Sequence, residues 1–275
     1  MRVVLLTTNY YLAANTAVKA FLQNTLRKKY DIQVVGIIGT TMLPFNKYSW
    51  RQMRRFLKQA GIKFFLKSII TNFWRHLCIQ FAKYCIPDKN RDFFEVEELA
   101  EKNHVSFLSV ENINSPEARE FIRSKNPDYL VSCLLLQVLK KPVLDLPLEG
   151  AINFHPALFQ DHRGTFSGFW ALLKNLKRSG ATVHFMTEKL DNGKVVLQRP
   201  FFVRPSDTIY CLDQRSARLG GNLLVKALVK LKKKKAKTFW IKKMSQVFTM
   251  PTQKEVAIFE KRGKKIIKWR DFFRV

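Results

Sequence analysis

Asn153, His155 and Asp191 are the residues whose types and spacing could do chemistry. An imidazole titrates near neutrality, so it can donate a hydrogen bond to a developing oxyanion or pass a proton. A carboxamide beside it can stabilise the same oxyanion without changing its own protonation state. A carboxylate near the imidazole favours the protonated ring and can take a proton, directly or through water. Asn153 and His155 stand two apart in the stretch INFHPALFQDHRG, so on an extended segment they project to one side. Pro156 restricts His155 to extended geometry and so fixes where its ring points. Such a trio suits attack of an amine on a carbonyl carbon. With no Ser or Cys nucleophile adjacent, direct transfer is expected rather than a covalent enzyme intermediate. Standing alone, a His-Pro turn after a strand is more often structural than catalytic, so the surrounding elements must decide.

Those elements read as alternating strands and helices. Val3 to Leu6 is a continuous apolar run with β-branched members, which predicts a strand buried on both faces. The same run could pass for the core of a signal peptide, but it stops at two threonines and a strand explains it better. Ala13 to Lys28 has helical spacing and Ile32 to Ile38 is a second strand, together a βαβ unit. Further strands are expected at 105–110, 129–131, 151–154, 181–186 and 195–202. Helices are expected at 95–103, 115–124, 167–176 and 208–231, with Ser115 as N-cap and Pro116 at the first helical position. The fold class is therefore α/β: a doubly wound, Rossmann-like, mostly parallel sheet, whose ligands bind beyond the C-terminal strand ends. His155 lies just past one such end, and Asp191 lies in a loop between two strands.

Composition sets the outer limits. In 275 residues, 47% hydrophobic, there is enough chain for one large domain and too much apolar content for a disordered one. The formal charge of +28 is uneven: residues 1–44 contribute +4, 45–87 +9, 88–225 only +1, and 226–275 +14. The candidate site thus sits in a nearly neutral centre flanked by basic segments, which suggests an anionic partner. No apolar run is long enough to cross a membrane. Cys78, Cys85, Cys133 and Cys211 lack metal-ligand spacing and read as reduced, mostly buried thiols of a cytoplasmic protein, so no metal site is expected.

The ordered set NFHPALFQDHRG, Phe169-Trp170, Gly180-Ala-Thr-Val-His184, Leu190-Asp191-Asn192-Gly193 and Gln198 resembles the folate-dependent formyltransferase family. That family includes glycinamide ribonucleotide, methionyl-tRNA and amino-sugar formyltransferases. Its pattern is Asn-x-His-Pro-Ser-Leu-Leu-Pro, an aromatic-Arg-Gly, a Trp, then Gly-x-Thr-x-His and Asp-x-Gly. The interval of 36 residues from His155 to Asp191 is the one the resemblance expects. The match covers roughly residues 1–40 and 90–210, and is specific in its second half.

The resemblance implies roles. Asn153 and His155 would polarise the formyl oxygen of 10-formyltetrahydrofolate and stabilise the tetrahedral intermediate. Asp191 would keep His155 suitably protonated and help remove the amine's proton. The pterin slot would be lined, largely through backbone groups, by Cys133, Leu134, Leu135, Leu136, Gln137 and Val138, with Thr187, Glu188 and Leu190. Thr8, Asn9, Tyr10 and Tyr11, after the first strand, would face the acceptor. His162 and Arg163 stand as further acceptor contacts, with a solvated loop position the alternative for His162 and a structural hydrogen bond the expectation for His184. Ala157, Gln160, His162 and Ser167 depart from the pattern, at Ser, Pro, an aromatic and Pro respectively. None of these removes the trio.

For the acceptor, elimination favours a nucleotide- or lipid-linked amino sugar. Only about 65 residues follow Tyr210, short of the barrel that methionyl-tRNA enzymes carry, and glycinamide ribonucleotide enzymes lack an insertion here. Those two activities remain alternatives, as does a basic membrane- or nucleic-acid-binding protein on an inactive scaffold. The expected organisation is a catalytic domain over 1–210 with a helical insertion at 45–87, then a C-terminal helix and basic extension over 211–275. The insertion holds nine Lys/Arg, ten aromatics and no acid, with Phe65, Ile69, Phe73 and Leu77 as an apolar stripe. That stripe suits packing on the main domain or on a second copy in a homodimer, or peripheral docking on an anionic membrane; nucleic acid is the least favoured partner.

Overall fold

The computed structural model describes residues 1–9, 11–25, 30–41, 47–85 and 94–272. The first half runs β1 (Arg2–Thr8), α1 (Leu12–Thr25), β2 (Gln33–Thr40), α2 (Lys47–Ala60), α3 (Ile62–Cys85), α4 (Val96–Lys102), β3 (Phe107–Val110) and α5 (Pro116–Lys125). The second half runs β4 (Tyr129–Cys133), α6 (Lys141–Leu144), β5 (Gly150–His155), β6 (Arg163–Gly164), α7 (Ser167–Leu173), β7 (Arg178–Phe185), β8 (Val195–Phe202), α8 (Ile209–Lys232), β9 (Val247–Phe248) and α9 (Gln253–Lys261).

Seven strands form one sheet in the order β3-β2-β1-β4-β5-β7-β8. β3, β2, β1, β4 and β5 are parallel, while β7 and β8 each run antiparallel to the preceding strand in the sheet. The apolar run of β1 explains its central place, since Val3 to Leu6 are fully buried between helices on both faces. α1 and α8 cover one face through Ala17, Phe21, Leu224 and Leu228; α5 and α6 cover the other through Ala118, Ile122 and Val143. The chain builds outward from β1 to β3, then returns to lay β4 on the other side of β1. That reversal opens a crevice at the C-terminal ends of β1 and β4.

Element ends depart from the periodicity where single residues adopt left-handed backbone. His104, at φ 52°, and the bond from Val105 N–H to Ala100 O keep Val105 in the exit turn of α4, so β3 begins later. Asn175, at φ 50°, stops α7 short of residue 176. Ser115 caps α5 as expected, its hydroxyl accepting from Ala118 N–H at 3.2 Å.

α8, which starts at the expected boundary, packs on the main core, where its apolar face completes the cover over β4, β5 and β7. A second core joins the two basic flanking segments. Ala60 and Phe64 pack with Phe169 and Trp170 of α7, and with Phe248, Val256 and Phe259 downstream. Gln59 Nε2 donates to Met250 O at 2.7 Å, and Gln253 Nε2 to Lys58 O at 3.2 Å, tying insertion to extension. Full burial of Phe169 and Phe259 contributes roughly 1.5–3 kcal/mol each. Among the three cysteines described, only Cys133 is buried; Cys85 is exposed and Cys211 half-buried, against the expectation of mostly buried thiols. The apolar stripe of α3 keeps Phe73 and Leu77 of the expected set but not Phe65. Ile62, Leu66, Ile70, Phe73, Leu77 and Phe81 point to solvent, while Phe65 turns toward Phe56 with centroids 5.4 Å apart. The side chain of Ile69 lies outside the described residues.

Candidate active site

β5 delivers Asn153 and His155 at its C-terminal end, at the seam where the parallel strands meet antiparallel β7. Asn153 pairs with His184 of β7 across that seam, and His155 with Thr182. The segment after β5 is folded back by Thr182 Oγ1, which donates to Ala157 O at 2.6 Å, and by Gln198 Oε1, which accepts from Phe159 N–H at 3.2 Å. Gln160, at a family proline position, is held through Gln198 Nε2 at 3.0 Å.

Asp191 reaches the site on the β7–β8 loop in a left-handed conformation, φ 46°. Strained backbone of this kind in a non-glycine residue is held only by its surroundings. Here Gly164 N–H donates to Asp191 Oδ2 at 2.8 Å, and Arg163 Nη1 to Asp191 O at 3.3 Å. Two residues on, Gly193 lets the loop lie against β7, where a Cβ would stand 1.8 Å from Phe185 O. The result is His155 Nδ1 at 3.3 Å from Asp191 Oδ2, with both side chains buried.

His184 completes the cluster. Its Nδ1–H donates to Phe185 O at 2.8 Å, leaving Nε2 to accept from Asn153 Nδ2 at 3.1 Å. Burial, with the facing His155 in the same direction, pushes its pKa down to about 4 against the pull of Asp191, so the ring is neutral. His184 thereby sets the orientation of the Asn153 amide. The structural hydrogen bond expected of it exists, and the bond goes to the proposed oxyanion donor itself. The signal was in the sequence: Gly180 to His184 alternates in a strand that pairs with β5.

His162 is not solvated: it is only 2% exposed. Its ring is stacked between His155 and Phe248, with centroids at 5.8 Å and 5.3 Å. Burial first, and His155 second, push its pKa down to about 3. Arg163 is held by the C-terminal segment: Nε donates to Ser245 O at 2.9 Å and Nη1 contacts Met244 Sδ at 3.4 Å. Phe248 and the backbone at Ser245 are the site components that the sequence did not reveal.

The β1 loop is tied into the body by its own hydrogen bonds. Thr8 is buried, its Oγ1 accepting Leu136 N–H at 3.0 Å, because it ties the two sides of the crevice together. Asn9 Nδ2 donates to Ser109 Oγ at 3.2 Å. Tyr11 packs on the main core, where burial, and then Asp213, raise its pKa. Tyr10 lies outside the described residues. On the β4 side, Cys133 is buried and its thiol pKa is raised by that burial, which makes it a poor nucleophile. Leu134 turns the chain at φ 55° and Leu135 packs inward. Gln137 is spent structurally, Oε1 accepting from Ile113 N–H at 2.9 Å and Nε2 donating to Glu111 O at 2.7 Å. Leu136, Val138 and Leu190 are exposed apolar side chains, and Thr187 and Glu188 lie exposed on the loop to Asp191. Among the described residues no cluster of His, Cys, Asp and Glu could hold a metal ion.

Residues 78–228 match the family model described as formyl transferase. The chain belongs to that family. Methionyl-tRNA formyltransferase of Thermotoga maritima is 36% identical over 137 residues, 50% of this chain and 44% of that protein. This chain thus spans about half the length of the curated relatives it matches. Glycinamide ribonucleotide transformylase 1 from Symbiobacterium toebii superposes with a TM-score of 0.58 at 16% identity, covering 85% of this chain and 88% of that one. A sugar N-formyltransferase from Shewanella sp. FDAARGOS_354 superposes at 0.56 and 14% identity, covering 91% and 77%. At those identities the two structures speak for the fold.

Proposed function

We propose that this protein transfers a formyl group from 10-formyltetrahydrofolate to the primary amine of a small acceptor, an amino sugar. The observation that carries this reading is His155: buried, with Nδ1 facing Asp191 at 3.3 Å and Nε2 without a protein partner. A buried orphan nitrogen costs roughly 1–3 kcal/mol unless something else satisfies it, so a ligand atom is the natural partner. The folate fits the residues beside it. Leu136, Val138 and Leu190 would offer apolar surface to a flat ring.

When bound, the donor supplies a formyl carbon open to attack by an amine. Asp191 holds His155 through Nδ1, which leaves Nε2 to face the oxygen on which charge develops. Asn153, with one N–H held by His184, has its other N–H for the same oxygen. Asp191 also offers the carboxylate toward which the amine's proton can pass, directly or through water. Neither buried Ser132 nor buried Cys133 suits nucleophilic work, which fits direct transfer.

The amino-sugar acceptor is one of those the fold serves, as in the Shewanella sugar N-formyltransferase that shares this fold over most of this chain. A methionyl-tRNA acceptor is the second reading, favoured by the Thermotoga relative and by the charge of +28. One assay separates them: release of tetrahydrofolate from 10-formyltetrahydrofolate with nucleotide-linked amino sugars, glycinamide ribonucleotide or methionyl-tRNA. Turnover is expected with an amino-sugar nucleotide. Turnover with charged tRNA alone would replace the acceptor, and none with any acceptor would remove the proposal.

A further inference from the structure

We propose that α3 docks the protein on an anionic lipid surface, lying in the plane of the headgroups with one face immersed. This inference goes beyond the formyl-transfer reading and does not rest on it. Ile62, Leu66, Ile70, Phe73, Leu77 and Phe81 are each between 43% and 69% exposed. At about 100° per residue they fall within a stripe roughly 100° wide, and at 1.5 Å per residue it runs roughly 28 Å. Soluble proteins seldom leave so much contiguous apolar surface uncovered without a partner for it.

The helix is held in the attitude this requires. Phe64, which lies roughly opposite the stripe on the helical wheel, is buried and meets Phe169 edge-on at 5.7 Å. Ser68, on the same side, bonds back to Phe64 O at 2.8 Å. The body therefore grips one side of the first turns and turns the apolar side outward. The helix is not apolar enough to cross a bilayer. A helix of this length with one exposed apolar side and basic flanks suits the interface.

Charge selects the occupant. Residues 45–87 contain nine Lys/Arg and no acid; Lys63 is exposed on α3 itself, and Arg54, Arg55 and Lys58 are exposed on the preceding α2. Pairing this face with the same face of a second copy would set two wholly basic segments against each other. Phosphate-bearing headgroups would neutralise them, and the net charge of +28 would draw the whole molecule to such a surface.

The test is sedimentation of the full chain with phosphatidylcholine vesicles and with mixed phosphatidylcholine–phosphatidylglycerol vesicles. Binding to the mixed vesicles is expected to exceed binding to the neutral ones by at least about tenfold and to weaken with added salt. The pair Phe73→Glu and Leu77→Glu is expected to abolish that binding while thermal unfolding stays unchanged, since both side chains are exposed. Should the pair fold poorly, Arg54→Gln, Arg55→Gln and Lys58→Gln together must still weaken the preference for mixed vesicles. Equal binding by wild type and the glutamate pair would overturn the proposal, because adhesion would then be charge alone. Stripe-dependent self-association without vesicle binding would overturn it in favour of a second copy.

Discussion

Replacing His162 with phenylalanine should stabilise the protein, and by more at acid pH than at neutral pH. His162 is buried in a stack with both ring nitrogens lacking hydrogen-bond partners. Gly164 N–H, which lies near the ring, is spent on Asp191 instead. Removing buried, unsatisfied nitrogens should gain roughly 1–3 kcal/mol at any pH, offset by whatever crowding the larger ring causes. The pH dependence is free of that offset. A histidine in the unfolded chain titrates near 6.5, whereas burial holds His162 down to about 3 when folded. Between those values the unfolded state binds the extra proton, so wild-type stability falls as pH drops through this window. At pH 5 the unfolded state gains about 2 kcal/mol from this one site, against almost nothing at pH 7.5. Denaturant titrations of wild type and His162→Phe at the two pH values isolate it, because other histidines cancel in the double difference. The variant's advantage should grow by about 2 kcal/mol on going to pH 5. A difference that does not change with pH would mean His162 is protonated or solvated in the folded protein, and the stack would be wrong.

Two further substitutions probe the loop that carries Asp191. Asp191→Asn should lower turnover by roughly 10²–10⁴ while leaving thermal unfolding nearly unchanged, since asparagine tolerates the left-handed backbone at this position. Normal turnover in that variant would defeat the role given to the carboxylate. Gly193→Ala should cost more than about 2 kcal/mol of stability and most activity, because its methyl would stand 1.8 Å from Phe185 O and the loop must move. Wild-type stability in a calorimetric scan would refute that close approach.

Much of the sheet could be read ahead, because strands buried on both faces are forced to be continuous apolar runs, as in Val3–Leu6. Asn153 and His155 stood out only through the ordered set of motifs around them, since a His-Pro turn after a strand is by itself more often structural. Harder to read were the contacts made with distant chain. Thr8 follows a strand as a ligand-facing residue would, yet its hydroxyl is taken by Leu136, 128 positions later. His162 lies between Asp161 and Arg163 and so reads as solvated, but Phe248 covers it. β6 and β9 are two residues each and exist only because they pair with one another. The insertion shows the limit most plainly, since periodicity tells which residues share a face of α3 and not whether anything covers that face.

The same distant contacts explain how the flanking segments bear on the site. Asp191 is held in its strained conformation from one side by Gly164 and Arg163. Arg163 is itself fixed by Ser245 O and by the pairing of β6 with β9. β9 in turn is anchored where Trp170 Nε1 donates to Thr249 O at 3.0 Å and where Phe248 packs on that indole. Behind it stand Phe64 of the insertion and Phe259 of the extension, packed together on Phe169. A carboxylate in a left-handed turn has little local reason to stay there. The second core therefore acts as the support for Asp191, and the basic insertion and extension belong to the architecture of the site as well as to the surface of the molecule.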